Sequence, residues 1–321
     1  MEPTIGAELE GYLVDSAGEL GDTLALLGKD GWKSPDHPHE ALGCDVAFCS
    51  VEAASTICRK SGWIETSLNR ALSNIPQGFT AVFAPRTPYP GQIRIADKPR
   101  YKVMADALIK EHPRGYNGML QIAPWNVLHY HIGLPDVLSV EAVLLLNVLN
   151  NIGPFARLQI VRQYGVQGEE GHLAAWTDFT KPERLPAPRW FDSVEHLVAF
   201  IEAIPKLFVQ VGEEQWEIGS GQPSRLGDPI SEGVLWWATR LRLSFGTIEV
   251  RWCPTLKPRF VPELGEEILK LVWRCWEFLA RHRYDGTEAY KRRLYSHLCQ
   301  HSYLVPAEPL TDDEWWQLFR L

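Results

Sequence analysis

The chain has 321 residues, of which 45% are hydrophobic and 22% charged, the composition of a folded globular protein. Its formal net charge of -8 argues against a nucleic-acid surface, because such a surface needs clustered Lys and Arg to neutralise phosphate. No apolar run approaches about 18 residues, the length of a membrane helix, and the N-terminus lacks the basic and apolar regions of a signal peptide. We therefore expect a cytoplasmic protein that binds neither nucleic acid nor membrane.

Segments of alternating polarity or rich in β-branched residues predict strands, and amphipathic segments with capping residues predict helices. The predicted strands are 4–14, 44–56, 79–84, 118–123, 127–134, 158–166 and 245–253. The predicted helices are 62–76, 99–112, 139–152, 193–211, one from Pro262 to about 281, and a last short one from Thr311. Two segments rich in Gly, Pro, Ser and charge are predicted to be long loops, 167–190 and 217–232.

The order of these elements is irregular, and the chain contains neither G-x-G-x-x-G nor a Walker A motif. Without these motifs, the usual sequence evidence for a doubly wound nucleotide-binding fold is missing. An α+β fold with a largely antiparallel sheet fits the pattern better. No Ser/Gly-rich or long charged linker marks a boundary, so we expect a single catalytic domain over residues 1–321.

Two acidic residues near the N-terminus, Glu8 and Glu10, stand two apart in G-A-E-L-E-G. A strand sends residues i and i+2 to the same face, so both carboxylates point into one space, while Leu9 and Leu13 occupy the other face. Like charges this close repel each other unless a cation lies between them, and a hard divalent ion accepts such oxygens. The alternative is a solvent-facing acidic pair on an edge strand.

Asp45 and Glu52 enclose an otherwise apolar and small-residue stretch, D-V-A-F-C-S-V-E. A carboxylate buried in such a segment is costly unless it is paired or bound to a metal. Their spacing of seven places them on opposite faces of an ideal strand, so they converge only if a bulge or a turn intervenes. The sequence leaves both arrangements open.

His129 and His131 share one face of the predicted strand 127–134. Neutral imidazole binds metals and protonated imidazole binds phosphate, so the pair suits a metal–nucleotide site. Two structural histidines are the alternative.

The segment F-G-T-I-E-V-R places Glu249 and Arg251 on one face of a strand, with Arg240 a short way upstream. A surface ion pair is one interpretation. In a phosphate site, the carboxylate would instead hold a metal and the arginine would clamp a phosphoryl oxygen with its planar fork. All four clusters fit phosphoryl transfer, which needs metal ions to neutralise phosphates and cations to hold the migrating group.

These motifs occur in the same order in a known family. They are G-A-E-L-E, the segment ending at Glu52, H-Y-H-I-G-L-P before an apolar helix, and W-W-x-x-R with F-G-T-I-E-V-R. Through them the chain resembles the glutamate–cysteine ligase family, particularly its bacterial carboxylate–amine ligase branch. The resemblance covers about residues 4–280 and leaves a C-terminal helical extension at about 281–321. Two features depart from the family pattern: Asp45 replaces the usual Glu, and N-N-I-G-P-F-A-R (150–157) replaces a small polar segment.

The resemblance implies a glutamine-synthetase-like fold, in which helices pack on one side of a curved antiparallel sheet whose concave face binds Mg²⁺ (or Mn²⁺) and ATP. It implies one metal site formed by Glu10, Asp45 and Glu52. A second metal site would be formed by Glu8, His129 and Glu249. His131 and Arg251 would then contact the nucleotide phosphates, and Arg251 with Arg240 would stabilise an acyl phosphate.

The implied activity is ATP-dependent joining of a carboxylate to an amine through an acyl phosphate, with the γ-carboxyl of glutamate as the first substrate to test. The expected partners are small-molecule carboxylate and amine substrates, and the sequence leaves a homo-oligomer open. A guanidine or amine kinase on the same fold and a catalytically silent binding protein are the alternatives.

Overall fold

The computed structural model describes residues 4–88, 93–98, 101, 105, 120, 123–168, 189–203, 207–211, 214–218, 237–243 and 245–320. Its largest sheet has eight strands in the order β2-β3-β4-β1-β6-β10-β9, with β5 paired to the end of β1, and every pairing is antiparallel. These strands are β1 (Ile5–Asp15), β2 (Trp32–Lys33), β3 (Ala41–Gly43), β4 (Ser50–Ala54), β5 (Phe79–Val82), β6 (Val127–Gly133), β9 (Thr239–Arg242) and β10 (Thr247–Pro254). The separate hairpin consists of β7 (Leu207–Val211) and β8 (Glu214–Ile218). The predicted α+β class with a largely antiparallel sheet is confirmed.

Seven α-helices belong to the described residues. They are α1 (Thr23–Leu27), α2 (Gly62–Leu72), α3 (Val140–Tyr164), α4 (Val194–Ala203), α5 (Val261–Arg281), α6 (Glu288–Cys299) and α7 (Asp312–Arg320). Several begin at side-chain caps, as Ser139 does when its hydroxyl accepts from the backbone N–H of Ala142. Within the described part of the chain, no helix combines the length and the apolar character that a membrane crossing needs.

The core lies between one face of the sheet and helices α2, α3 and α5. Strict alternation along the strands supplies its sheet side, since Leu9, Leu128, Tyr130, Ile248 and Val250 are all fully buried in one cluster. The opposite face of the same strands carries the acidic and histidine side chains, so the alternation separates the core from the candidate site.

The predicted strand 158–166 is wrong, because α3 continues through it to Tyr164. Pro154 lies inside this helix, where a proline removes the hydrogen bond to the carbonyl four residues earlier. That carbonyl belongs to Asn150, and it accepts from the indole N–H of Trp315 at 3.0 Å instead. This hydrogen bond satisfies the carbonyl that the proline leaves without its helical partner, and the helix continues beyond Pro154.

Two other boundaries need correction. Only Ser50–Ala54 of the predicted strand 44–56 is a strand, β4, because residues 44–49 form the loop that follows the end of β3 at Gly43. The predicted helix 193–211 stops at Ala203, because 207–211 (L-F-V-Q-V) pairs with β8 as a strand. The predicted strand 118–123, helix 99–112 and loops 167–190 and 217–232 lie largely outside the described residues.

Candidate metal and phosphate site

The candidate site is a row of charged side chains that crosses five neighbouring strands. The register places Glu52 opposite Glu10, Glu8 opposite His129, His131 opposite Glu249, and Glu249 opposite Arg240. Directly opposed residues share a sheet face and have adjacent side chains. The sheet thus brings all four sequence clusters into one row on the face opposite the core.

The first group in this row is made of three carboxylates, Glu10, Asp45 and Glu52, which offer oxygens within 4.8 Å of one another. The loop between β3 and β4 supplies the turn that the spacing of seven requires. Ser50 holds this turn, because its hydroxyl accepts from Asp45 N at 3.0 Å and donates to Ala47 O at 2.7 Å. The hydroxyl of Tyr101 donates to Asp45 Oδ1 at 2.6 Å and orients the carboxylate.

The second group combines oxygen and nitrogen ligands from Glu8, His131 and Glu249, again within 4.8 Å of one another. The resemblance implied His129 in this group, and the structure places His129 beside it: its Nδ1 is 3.3 Å from Glu8 Oε2 and 3.7 Å from Glu249 Oε1. Its Nε2 lies 3.9 Å from Glu10 Oε1. His129 therefore stands between the two groups, and His131 Nε2 approaches Glu8 Oε1 at 3.4 Å.

Three arginines surround Glu249, whose side chain is 1% exposed. Arg240 binds it with two hydrogen bonds, Nε to Oε2 at 2.6 Å and Nη2 to Oε1 at 3.1 Å. Arg242 donates to Oε2 at 3.3 Å, and Arg251 Nε lies 3.5 Å from Oε1. This arrangement concentrates positive charge beside the acidic groups, as binding of a phosphoryl group requires.

Burial and neighbouring charges shift the pKa values of these groups in different directions. Burial raises the pKa of Glu10 well above its usual value, and the charges of Asp45 and Glu52 raise it further. Burial also opposes ionisation of Glu249, yet Arg240 and Arg251 outweigh it and lower the pKa of that carboxyl.

The two histidines differ in the same way. Burial lowers the pKa of His129, whereas for His131 the effect of burial is outweighed by the charge of Glu8, so its pKa is raised. A neutral imidazole is the form that binds metal, and a protonated one is the form that binds phosphate.

The residues present fit a divalent cation. Among the described residues, the buried Nε2 atoms of His129 and His131 have no hydrogen-bond partner and lie beside carboxylates, so both nitrogens are placed to bind a metal ion. The three-carboxylate group matches the oxygen ligands that Mg²⁺ prefers. The group with His131 fits Mg²⁺ less well, because imidazole is a softer ligand and Glu249 already accepts from Arg240.

Two residues of this arrangement were not predicted from the sequence. Arg242 stands two residues after Arg240 on β9, so the R-L-R spacing was a usable signal. Tyr101 reaches Asp45 across 56 residues of chain, and no local pattern indicates that contact.

Comparison with known proteins gives a distant relative. No protein-family model matches the chain. The protein named "Putative glutamate--cysteine ligase 2-1" of Rhodococcus jostii (strain RHA1) is 23% identical over 263 residues, which cover 77% of this chain and 61% of that protein. The chain is a distant homologue of glutamate–cysteine ligases. The resemblance to the glutamate–cysteine ligase family inferred from the motifs is confirmed as a distant similarity.

The chain spans about three-fifths of the length of this glutamate–cysteine ligase relative, 61% of it. Among solved structures, a bifunctional glutathione synthetase from Pasteurella multocida aligns with a TM-score of 0.49 and 16% identity over 99% of this chain and 47% of that one. A glutamate–cysteine ligase from Francisella tularensis, solved in complex with AMP, aligns with a TM-score of 0.47 and 12% identity over 99% of this chain and 80% of that one.

Proposed function

We propose that the chain is an ATP-dependent carboxylate–amine ligase. The observation that carries the proposal is the single row of carboxylates, imidazoles and arginines on one face of β4, β1, β6, β10 and β9. Homology to a glutamate–cysteine ligase supports the same reaction type. The proposed substrates are a small carboxylate, with the γ-carboxyl of glutamate tested first, and an amine.

Glu10, Asp45 and Glu52 would hold Mg²⁺, with Glu8, His129 and Glu249 as the ligands proposed for a second ion. Bound there, the metal would neutralise phosphate oxygens of ATP and make the γ-phosphorus a better electrophile. His131 stands at the Glu249 end of the row and would donate to a phosphate oxygen.

Arg251 and Arg240 would hold the migrating phosphoryl group. A guanidinium presents two parallel donors, which match two phosphoryl oxygens and remain charged throughout the reaction. Glu249 keeps both side chains in fixed orientations through the contacts of 2.6 to 3.5 Å described above. Such preorganised charge acts where negative charge develops in the transition state.

The reaction has two steps. A carboxylate oxygen of the substrate attacks the γ-phosphorus, the bond to the β,γ-bridging oxygen breaks, and ADP leaves. The amine nitrogen then attacks the acyl carbon of the resulting acyl phosphate, the C–O bond breaks, and phosphate leaves. The nitrogen releases one proton, and an amide remains.

The test is ADP and phosphate release from Mg-ATP across pools of amino acids and amines, with Glu52→Gln as the matched control. A ligase releases equal amounts of ADP and free phosphate, and only when both a carboxylate and an amine are present. A kinase would instead release ADP with a stable phosphorylated product and no free phosphate. ADP release that is absent, or equal in wild type and Glu52→Gln, would overturn the proposal.

A further inference from the structure

A β-bulge lies at the point where β10 carries Arg251. Val250 pairs with Tyr130 and Cys253 pairs with Leu128, so two residues of β10, Arg251 and Trp252, stand opposite the single residue His129. A bulge of this kind re-aims side chains and leaves backbone groups out of the ladder. The direction of Arg251 toward Glu249 therefore depends on what holds the bulge.

Helix α3 holds it with two buried polar side chains. Arg157 Nη1 donates to the carbonyl of Trp252, inside the bulge, at 3.1 Å. Asn150 Oδ1 accepts from the backbone N–H of Thr239 at 2.8 Å, directly before Arg240 on β9. The hydroxyl of Thr239 then accepts from the indole N–H of Trp252 at 3.2 Å, which links the two strands.

The spacing of these residues along α3 places them on the side of the helix that faces the bulge. Asn150, Gly153 and Arg157 stand at i, i+3 and i+7, so they share one helical face. A Cβ on Gly153 would lie 3.1 Å from Trp252 Cδ1, which means that glycine allows the helix to approach the bulge closely. All three belong to the segment N-N-I-G-P-F-A-R, residues 150–157.

Arg157 places a charged group in the interior of the protein. It is 5% exposed, and burial lowers the pKa of its guanidinium to about 9. Burying a charged group opposes folding, which favours a role for Arg157 in geometry over one in stability.

We propose that Asn150 and Arg157 are positioning residues, which hold the β9–β10 bulge and thereby orient Arg240 and Arg251 toward the transferring phosphoryl group. The inference rests on the proposed function for its effect on turnover. Whether the contacts from α3 stabilise the bulge can be measured independently of any activity.

The experiment compares Asn150→Ala and Arg157→Met with Asn147→Ala, a matched control. Asn147 is a fully buried asparagine one helical turn away on α3, and it makes two backbone hydrogen bonds, to Phe191 N and O at 2.9 and 2.7 Å, rather than to the bulge. Amide hydrogen exchange over 237–254, thermal melts, and kcat and KM for ATP are measured for each variant.

Asn150→Ala and Arg157→Met are expected to speed exchange in 237–254 and to lower kcat about tenfold to hundredfold with KM for ATP nearly unchanged. Asn147→Ala is expected to lower the melting temperature without either effect. Arg157→Lys, which keeps a charged donor, is expected to recover most of the kcat.

Equal loss of kcat in the two asparagine variants, or unchanged exchange in 237–254, would overturn the inference. Absence of turnover in the wild type would overturn the proposed function, and hydrogen exchange would still decide whether α3 holds the bulge. If Arg157→Met does not fold, exchange in Asn150→Ala decides the same question.

Discussion

The two faces of strands β1, β6 and β10 carry side chains of opposite character. Leu9 is fully buried in the core, while its neighbours Glu8 and Glu10 point to the other face of the same strand. One face is apolar throughout and packs against helices, and the other carries carboxylates and imidazoles, with Arg251 on β10. The apolar face stabilises the fold, whereas on the polar face Glu10, Asp45 and Glu52 repel each other, which the proposed metal site would explain.

Glu249→Gln should have the largest effect, because it lowers the stability of the fold and also removes a charged group from the candidate site. Removing one partner of a buried ion pair costs about 3–5 kcal/mol, and here it leaves Arg240 without its bidentate carboxylate. Turnover should fall at least about a hundredfold, equivalent to about 2.7 kcal/mol. Urea unfolding and steady-state rates measure the two effects, with the exposed Glu266→Gln as a control that changes neither.

Leu9→Ala tests the opposite face of the same strand. Truncating a fully buried leucine costs about 2–5 kcal/mol of stability, because it removes apolar contacts and leaves a cavity. The folded fraction should keep a nearly normal kcat, since no group in the row changes. A large loss of kcat per folded molecule would mean that the two faces are not independent.

The strand alternation that separates these faces could be predicted from the sequence, because it depends only on the period of two. The pairs Glu8 with Glu10 and His129 with His131 needed no tertiary information beyond the strands that carry them. The order of motifs along the chain indicated the resemblance to glutamate–cysteine ligases, which the distant similarity supports. These parts of the prediction rest on local geometry.

What could not be predicted depends on contacts between distant segments. Segment 158–166 has strand-like composition, yet it continues a helix that α7 stabilises through Trp315. The convergence of Asp45 on Glu52 required a turn held by Ser50, and Tyr101 required a contact across 56 residues. Each is a tertiary effect that overrides a local pattern.

Arg251→Lys separates a phosphoryl clamp from an ion pair. If Arg251 holds the transferring group, lysine keeps the charge and loses the bidentate fork, so kcat should fall about tenfold to hundredfold while KM for ATP changes little. The loss of stability should be smaller than for Glu249→Gln, because lysine keeps the positive charge and Arg240 still pairs with Glu249. Rates and thermal melts of the two proteins measure this, and an unchanged kcat would remove Arg251 from the mechanism.

Glu10→Gln should have a small effect on stability, and one of opposite sign. Glu10 is buried beside Asp45 and Glu52, and its pKa is raised by burial and by those two charges, so an ionised Glu10 destabilises the metal-free protein. Glutamine keeps the volume and can still accept from Val127 N, which now donates to Glu10 Oε2 at 2.9 Å. Without metal, the variant should therefore be more stable than the wild type by about 0.5–2 kcal/mol.

Magnesium should reverse that order. A ligand at a hundred times its Kd stabilises the folded state by about 2.7 kcal/mol, and the wild type should gain this while the variant gains much less. Thermal melts with EDTA and with excess Mg²⁺ measure both differences, and Glu288→Gln, which changes an exposed carboxylate paired with Lys291, provides the control. If Mg²⁺ raised the melting temperature of wild type and Glu10→Gln equally, the carboxylates of Glu10, Asp45 and Glu52 would not form a metal site. The charge on this face of β1 would then need another explanation.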